Sequence, residues 1–422
     1  MVNLNEWIKI DTVNGTGNTI VNLTIAPNYD NIRNQRIKIQ GLKKTIYLDI
    51  EQEKIIDYGD DYFYMEFDEL TDTTNYAGFL WNGNRESIVE IDLEYSYDGI
   101  NFYDCQRGIT SSDEVWVGTY LTNENKKIFF RNNTKRINFR DLGYGCYYKF
   151  FTEGVQSFSI GGNILSLSDL TESSFENCFL KCTYLVDASR LKFPETTAEN
   201  CYVNMFNNCD NLKYAPQVLP AKEVADYAYW SMFYSCQKLE TTPLMLAEKF
   251  GYLSCWEMFF DCTSLVTATD FPNAELGSGC FANMFQNCTS LVTAPKLPSL
   301  KMAESCYGSM FSYCTNLVNP PELPSSELAN VCYSYMFEGC TSLVESPELP
   351  AEILKPYCYE YMFLDCSRLK NITMLALDVS ASNCISQWVV GVSSSGTFYK
   401  RAETTLREGN NGIPWGWKVV NI

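Results

Sequence analysis

Eighteen cysteines and no histidine set the chemistry that this 422-residue chain could perform. Without histidine there is no Ser-His or Cys-His nucleophile pair, and the commonest general base and metal ligand are missing. Zinc sites use closely spaced Cys pairs, and the only short pair here is Cys178 and Cys182. No two carboxylates stand at a recognisable catalytic spacing. We therefore expect a protein without catalytic residues, bound metal or cofactor.

Most of the cysteines recur in pairs with a fixed spacing of eight residues: Cys201/Cys209, Cys280/Cys288, Cys306/Cys314, Cys332/Cys340 and Cys358/Cys366. On a helix this spacing is a rise of about 12 Å, which exceeds the Cα separation of a disulfide. A disulfide between units would need equivalent helices closer than the usual separation of roughly 8–10 Å. We expect buried free thiols that pack as small apolar groups, with disulfides and a metal site as the alternatives.

These cysteines belong to a unit that fills the C-terminal half of the chain. The unit reads Cys-Tyr-x-x-Met-Phe-x-x-Cys-x-x-Leu and continues into a run similar to Ala-Pro-x-Leu-Pro. Its second cysteine stands at positions 182, 209, 236, 262, 288, 314, 340 and 366, in steps of 26 or 27 residues. A fixed period of this length predicts a solenoid, in which each unit buries its apolar face against its neighbours.

The spacing within one unit predicts a helix with one buried face. At about 100° per residue, a single arc of roughly 140° holds five residues: Cys306, Tyr307, Met310, Phe311 and Cys314. A short strand and a proline-rich return follow, and proline cannot continue the helix. Each unit would thus contribute a helix and a strand to an α/β solenoid.

The outward positions of the predicted helix vary between units, and a partner that binds this face would touch them. The candidate contact residues are Asn283, Ser309, Tyr335 and Glu360. A second candidate feature is the aromatic residue that follows the first cysteine of most units, which could stack on sugar rings. These aromatics are Tyr202, Tyr229, Trp256, Phe281, Tyr307, Tyr333 and Tyr359. Because their position lies at the edge of the buried arc, core packing is favoured over a sugar-binding ladder.

The repeat pattern over about residues 160–422 resembles the BspA-like leucine-rich repeats. The stretch that contains Cys384, Trp388 and Trp415 is similar to the closing cap of that family, and solenoids need a terminal cap. The resemblance implies a leucine-rich-repeat solenoid over residues 158–376 and a cap over residues 377–422. It also implies a non-catalytic surface protein that contacts host or matrix partners, as in gut Bacteroidetes and their phages.

Residues 1–54 are expected to form a partial β domain. Apolar and polar residues alternate there as in half-buried strands, over residues 20–25, 36–39 and 45–50. With Trp7 and the turn Gly15-Thr16-Gly17-Asn18, the segment resembles the second half of a BACON domain, an Ig-like sandwich. The earlier strands of that family are missing, which leaves a sheet edge in need of cover. We expect other subunits of an assembly to cover it, and hence an oligomer.

Residues 55–157 are expected to form a second β domain, so that two sandwich-like modules precede the solenoid. Residues 88–96 alternate, residues 97–100 read as a turn, and residues 101–104 return, which is the signal of a β-hairpin. Residues 115–117 and 127–131 read as further strands.

The charge balance limits the kinds of partner that the chain could bind. Acidic residues outnumber basic ones by 51 to 32, a net charge of −19, and no basic run stands out, so nucleic acid is excluded as a partner. No apolar run is long enough to span a membrane. The first residues, MVNLNEWIKID, lack the features of a signal peptide.

Together these features predict a non-enzymatic virion protein of a phage, of the head, tail-fibre or decoration type. It would attach to its assembly through residues 1–54 and present the solenoid to glycans or proteins of the host or of mucus. The alternative is a bacterial cell-surface or secreted adhesin whose signal peptide is absent from this sequence.

Overall fold

The computed structural model describes the strands within residues 1–58 and, beyond them, residues 62–68, 70, 75–82, 92–109, 115–132 and 147–422. The chain separates into two units, Met1–Tyr58 and Gly59–Ile422. In these described residues there is no α-helix, and the one helical element is a 3-10 helix at Ile164–Ser166. Consequently, no described helix is long and apolar enough to cross a membrane.

The first unit contains two antiparallel strand pairs. Its strands are β1 (Ile8–Asp11), β2 (Asn22–Ile25), β3 (Arg33–Gln40) and β4 (Thr45–Gln52). β1 pairs with β2, and β3 pairs with β4 from Arg33↔Gln52 to Gln40↔Thr45. The alternating segments therefore form strands, as predicted, whereas the sandwich expected for residues 1–54 stays a prediction.

The second unit begins with two sheets. Their strands are β5 (Phe63–Phe67), β6 (Tyr76–Asn82), β7 (Leu93–Ser96), β8 (Tyr103–Asp104), β9 (Gln106–Ile109), β10 (Val115–Tyr120), β11 (Lys127–Asn132), β12 (Tyr147–Glu153), β13 (Phe158–Asn163) and β14 (Leu185–Lys192). An antiparallel sheet has the order β12–β6–β10–β9, and a six-stranded sheet has the order β14–β13–β5–β11–β7–β8. In the second sheet only β13 and β14 run parallel.

The predicted hairpin turn at residues 97–100 is confirmed. β7 and β8 pair antiparallel through Glu94↔Asp104 and Tyr95↔Tyr103. Between them Gly99 has φ of +72°, a conformation that glycine adopts without strain. The Asp98 carboxylate accepts hydrogen bonds from the N–H groups of Ile100 and Asn101, both at 2.8 Å, so the side chain closes the turn.

An aromatic core joins the two sheets to the first coil of the solenoid. Phe150 of the four-stranded sheet lies 5.8 Å from Phe63 of the six-stranded sheet, measured between ring centroids. Phe179 of the first coil lies 5.8 Å from Phe63 and 5.5 Å from Phe150. The Phe150 N–H also donates to the Cys178 carbonyl at 2.7 Å. The β block therefore covers the first coil, where an exposed apolar end would otherwise remain.

The rest of the unit is a β-solenoid of about nine coils with a period of about 26 residues. We number coils 1–8 by their second cysteine, from Cys182 to Cys366, and coil 9 contains Trp388. The solenoid strands are β15 (Val218–Leu219), β16 (Glu223–Val224), β17 (Leu244–Met245), β18 (Lys249–Phe250), β19 (Glu275–Leu276), β20 (Glu345–Leu349), β21 (Asn371–Met374), β22 (Thr397–Lys400) and β23 (Lys418–Asn421). They pair in parallel, in sheets of order β15–β17, β16–β18–β19 and β20–β21–β22–β23.

The solenoid is as predicted, but the helix predicted for each unit is wrong. In coil 6 the N–H of Gly308 donates to the carbonyl of Ser305, three residues back, at 3.1 Å. The next N–H, that of Ser309, leaves the coil and donates to the Ser334 carbonyl of coil 7 at 2.8 Å. Every fourth residue has a positive φ, for example 54° at Ser305 and 52° at Ser309. We call the segment from Ser305 to Cys314, and the equivalent segment of each other coil, the turn ladder, because tight turns alternate there with hydrogen bonds between coils.

The period of four residues in the turn ladder explains why the sequence predicts a helix here. Over a nine-residue segment, the spacing of buried residues fits a period of four as well as the period of about 3.6 that a helix has. The signal that separates the two is the residue type at positive φ. In coil 2 these positions are Asn200, Asn204 and Asn208, and asparagine is enriched in the left-handed region.

Coil 9 covers the last repeat. Trp388 is fully buried and lies 6.0 Å from Phe363 and 6.5 Å from Tyr359 between ring centroids. Its indole N–H donates to the Gly412 carbonyl at 2.9 Å, and that of Trp417 donates to the Ser393 carbonyl at 2.8 Å. Two indole groups thus fasten the final segment to the end of the stack.

Candidate contact surface

Two aromatic columns fill the interior of the solenoid. The first column runs from Phe179 to Phe363, with ring centroids 5.2–5.9 Å apart and planes within 9° of parallel. The second column contains Tyr202, Tyr229, Phe281, Tyr307, Tyr333 and Tyr359, each at most 2% exposed. The prediction of core packing for the second column is therefore confirmed, and these rings are not available to a sugar.

One member of the predicted second column was assigned wrongly. Cys255, not Trp256, takes the column position in coil 4, since the Tyr229 N–H donates to the Ser254 carbonyl and the Ser231 N–H to the Trp256 carbonyl. Trp256 instead lies outside the buried columns and stacks on Trp230 of coil 3, with centroids 5.0 Å apart. Aligning the repeats by their first cysteine shifts this coil by one residue, because Ser254 occupies the position of the first cysteine and Cys255 follows it.

The cysteines form a ladder of buried free thiols. In each of coils 1–8 the second cysteine donates its S–H to a phenylalanine carbonyl 29–32 residues earlier in the chain, with S···O distances of 3.0–3.2 Å. All cysteines that the structure describes are unpaired, as predicted, although the helical spacing used to argue it does not exist. Burial raises the pKa of the Cys314 and Cys340 thiols well above the ordinary value, which opposes any nucleophilic use.

The outer face comprises the four positions of each turn ladder that lie outside the buried columns. In coils 3–8 they are Trp230, Ser231, Tyr234, Ser235, Trp256, Glu257, Phe260, Asp261, Ala282, Asn283, Gln286, Asn287, Gly308, Ser309, Ser312, Tyr313, Ser334, Tyr335, Glu338, Gly339, Glu360, Tyr361, Leu364 and Asp365. None of these residues is basic. In the described region we also find no group of three Cys, Asp or Glu side chains that could surround a metal ion.

The candidate contact residues lie together on the outer face. Asn283, Ser309 and Tyr335 occupy equivalent positions in coils 5, 6 and 7, all with positive φ of 52–57°. Glu360 of coil 8 lies beside them, since its carbonyl accepts the Tyr335 N–H at 2.9 Å. All four are half-buried. The structure thus brings them onto one surface, and their contact role stays a prediction.

Sequence reasoning missed paired aromatics on the outer face. Trp230 stacks on Trp256, and in the same coils Tyr234 stacks on Phe260 with centroids 4.7 Å apart and planes 1° from parallel. All four rings are half-buried. The signal that could have found them is the spacing of 26 residues between Trp230 and Trp256 and between Tyr234 and Phe260.

Carboxylates on the outer face are held by neighbouring hydroxyl and amide groups. Glu257 accepts from the Ser231 hydroxyl at 3.3 Å. Burial raises the pKa of the Glu257 carboxyl, although hydrogen bonds from Ser231 and Asn283 partly oppose the shift. Glu338 accepts from the Ser312 hydroxyl at 3.0 Å and from the Tyr313 hydroxyl at 2.9 Å. The face therefore offers aromatic, neutral polar and acidic groups.

Comparison of the chain with protein-family models, with curated proteins and with solved structures finds no match.

Proposed function

We propose that this chain is a non-enzymatic adhesion or structural protein that acts through the outer face of its solenoid. The observation that carries the proposal is the contrast between the inside and the outside of the coils. Phenylalanine, leucine and cysteine recur at the same buried positions in successive coils, whereas the outer positions change from tryptophan to glutamate to glycine. Stacking requires the uniform interior, and a varied exterior on a uniform frame suits recognition of a partner.

The state of the cysteines favours a virion protein over a secreted adhesin. Seventeen described thiols are unpaired, and all but Cys105 are buried. Proteins that mature in oxidising compartments accumulate disulfides, whereas a virion protein folds in the reducing cytoplasm of its host. The resemblance of the repeats to BspA-like proteins points to the same pair of alternatives, a phage particle or a bacterial surface.

We assign attachment to residues 1–54. In the described part of this segment, β1 pairs only with β2 and β3 pairs only with β4. A two-stranded ribbon keeps backbone donors and acceptors free along its outer edges, and a neighbouring subunit can pair with them by strand addition. The solenoid would then serve as the contacting part of the same chain.

Retention of the labelled full chain on intact gut bacteria and on mucin-coated surfaces tests this function. We compare the wild type with a variant that carries both Trp230→Ala and Tyr234→Ala on the outer face. Truncation of such aromatic anchors should reduce retention by about tenfold or more. The matched control is Leu300→Ala, which removes a 58% exposed residue from a proline-rich return and should leave retention unchanged. A wild type that neither surface retains, or equal loss in both variants, would contradict the proposal.

A further inference from the structure

One continuous piece of chain forms an unpaired edge on both sheets of the β block. β8 (Tyr103–Asp104) is the last strand of the six-stranded sheet, and β9 (Gln106–Ile109) is the last strand of the four-stranded sheet. Only Cys105 separates the two strands. Among the described residues, β8 pairs with β7 alone and β9 pairs with β10 alone. We call residues 102–109 the open edge.

The backbone groups of Asp104 point outward from the open edge. The Cys105 N–H donates to the Leu93 carbonyl at 2.9 Å, and the neighbouring residues Glu94 and Asp104 lie opposite each other. Hydrogen-bonded and non-hydrogen-bonded pairs alternate along an antiparallel ladder, so the N–H and carbonyl of Asp104 face away from β7. Backbone groups that face outward in this way can pair with a strand from another chain.

Exposed apolar side chains gather at the open edge. Tyr103 is 56% exposed, Ile109 is 61% exposed, and Ile100 in the turn before β8 is 80% exposed. The only other large apolar side chain that is exposed in the described part of the β block is Tyr120. Because large apolar side chains that share one exposed surface mark contacts with other proteins, the open edge is a candidate interface.

The two charged residues of the open edge have opposite signs. Asp104 and Arg107 are both exposed. Glu94, which lies opposite Asp104 on β7, is paired with Arg131 at 2.5 Å, so the charge of Glu94 is already compensated. Charges on an edge strand usually prevent pairing. An acidic and a basic residue three positions apart instead attract a copy of the same strand in antiparallel orientation.

We propose that two copies of the chain pair through the open edge as a symmetric dimer. The two-fold axis lies between Cys105 and Gln106, so that β8 of each copy pairs antiparallel with β9 of the other. Each six-stranded sheet then continues into the four-stranded sheet of the other copy. A two-fold interface uses the same surface on both partners, and a self-complementary edge meets this condition. The dimer is independent of the proposed contact function and separate from the attachment assigned to residues 1–54.

The charges and the apolar side chains select the same register. With the axis in this position, Asp104 of each copy lies opposite Arg107 of the other, and Phe102 lies opposite Ile109. Opposite charges and apolar pairs that face each other across two strands both stabilise the pairing. A shift of the register by one residue in either direction separates Asp104 from Arg107.

The glycine of β9 fits the same register. A Cβ atom on Gly108 would lie 2.4 Å from the Trp116 indole nitrogen, so the Trp116 ring crosses β9 where Gly108 has no side chain. Tyr103 of the second copy comes opposite Gly108, and its ring therefore meets the Trp116 ring instead of another side chain. Aromatic pairs across neighbouring strands stabilise a sheet.

Sedimentation velocity of the full chain at about 1–200 µM tests the dimer, because so small a contact should have a dissociation constant in the micromolar range. Arg107→Glu sets acidic residues opposite each other and should raise the dissociation constant by about tenfold or more. Asp104→Arg sets basic residues opposite each other and should have a similar effect. The chain that carries both substitutions has opposite charges again and should dimerise like the wild type.

Arg407→Glu is the matched control, because it changes the net charge by the same amount as Arg107→Glu at an exposed residue outside the β block. It should dimerise like the wild type, and circular dichroism verifies that every variant is folded. A wild type that stays monomeric, a doubly substituted chain that does not regain the dimer, or equal weakening by Arg407→Glu would overturn the proposal. An oligomer held by residues 1–54 would be unchanged in all of these variants, which would overturn the proposal as well.

Discussion

At the scale of single residues, the solenoid depends on side chains that have a fixed neighbour in every coil. The Cys314 thiol donates to the Phe285 carbonyl of the preceding coil at 3.0 Å. Phe311 lies between Phe285 and Phe337 at centroid distances of 5.7 and 5.9 Å. Because the same contacts recur along the stack, loss of one ring disturbs both neighbouring coils.

Phe311→Ala should destabilise the solenoid by about 3–5 kcal/mol, the usual cost of removing a buried aromatic side chain. Ser309→Ala, two residues earlier on the outer face, should change stability by less than about 0.5 kcal/mol. Chemical denaturation of both variants, followed by circular dichroism, measures the difference. Similar losses for the two variants would show that the buried columns do not carry the stability.

Glu257 gives the outer face a dependence on pH. Burial raises the pKa of its carboxyl in the folded chain, so the stabilising contribution is present at low pH and is lost as the pH rises through that pKa. Glu257→Gln, which has no charge to bury, should be more stable than the wild type at pH 7. Melting curves from pH 4 to pH 7 should show the advantage shrinking toward pH 4. A constant difference between the two proteins would exclude Glu257 as its source.

At the scale of the element, the turn ladder requires a left-handed residue at every fourth position. Most of these positions hold Asn, Ser, Asp, Gly or Tyr, yet Val331 in coil 7 has φ of 60°. A β-branched residue is strained there, because its Cβ crowds the backbone.

Val331→Asn should therefore stabilise the chain by about 1 kcal/mol, since asparagine tolerates the left-handed region. The Val331 N–H, which donates to the Pro356 carbonyl at 3.0 Å, keeps its bond in the variant. The reverse change at a matched position, Asn287→Val at φ of 63°, should destabilise by a similar amount. Thermal melts check both, and a stabilising effect of Asn287→Val would show that backbone strain does not decide these positions.

The sequence predicts the period, the buried columns and the free thiols, because every coil must bury the same kinds of side chain at equivalent positions. The leucine that ends the repeated motif is fully buried in each of coils 1–8, from Leu185 to Leu369. The sequence does not predict the turn ladder, because the Ser309 N–H donates to a carbonyl of coil 7 that lies 25 residues later in the chain. The stacking of Trp230 on Trp256 follows from their spacing of one period only once the two residues are assigned to equivalent positions of coils 3 and 4, and the one-residue error in coil 4 hid this equivalence.

At the scale of the whole molecule, each coil contacts mainly its two neighbours, so coils should be removable in units of one period. Deletion of residues 307–332, which is one period of 26 residues, joins Cys306 to Tyr333 and should leave a folded, shorter solenoid. Deletion of residues 307–330 removes two residues fewer and puts outer positions into the buried columns, so it should unfold neighbouring coils.

Deletion of residues 377–422 should also be damaging, because it removes Trp388 from the end of the aromatic columns. Circular dichroism and size-exclusion chromatography distinguish the folded products from aggregated ones. If all three deletions give equally stable proteins, neither the period nor the final coil determines stability.

The turn ladder also makes the two ends of the solenoid chemically different. Each N–H that leaves its coil in the ladder points toward the C-terminal coils, and each receiving carbonyl points back, so the peptide dipoles add along the stack. At coil 1 the Cys178 carbonyl accepts from Phe150, and at coil 9 the Gln387 N–H donates to Asn411 Oδ1 at 2.7 Å, as at the capped start of a helix. In the turn ladder the carbonyls thus face one end of the stack and the N–H groups the other, so any further coil would have to join this stack in head-to-tail order.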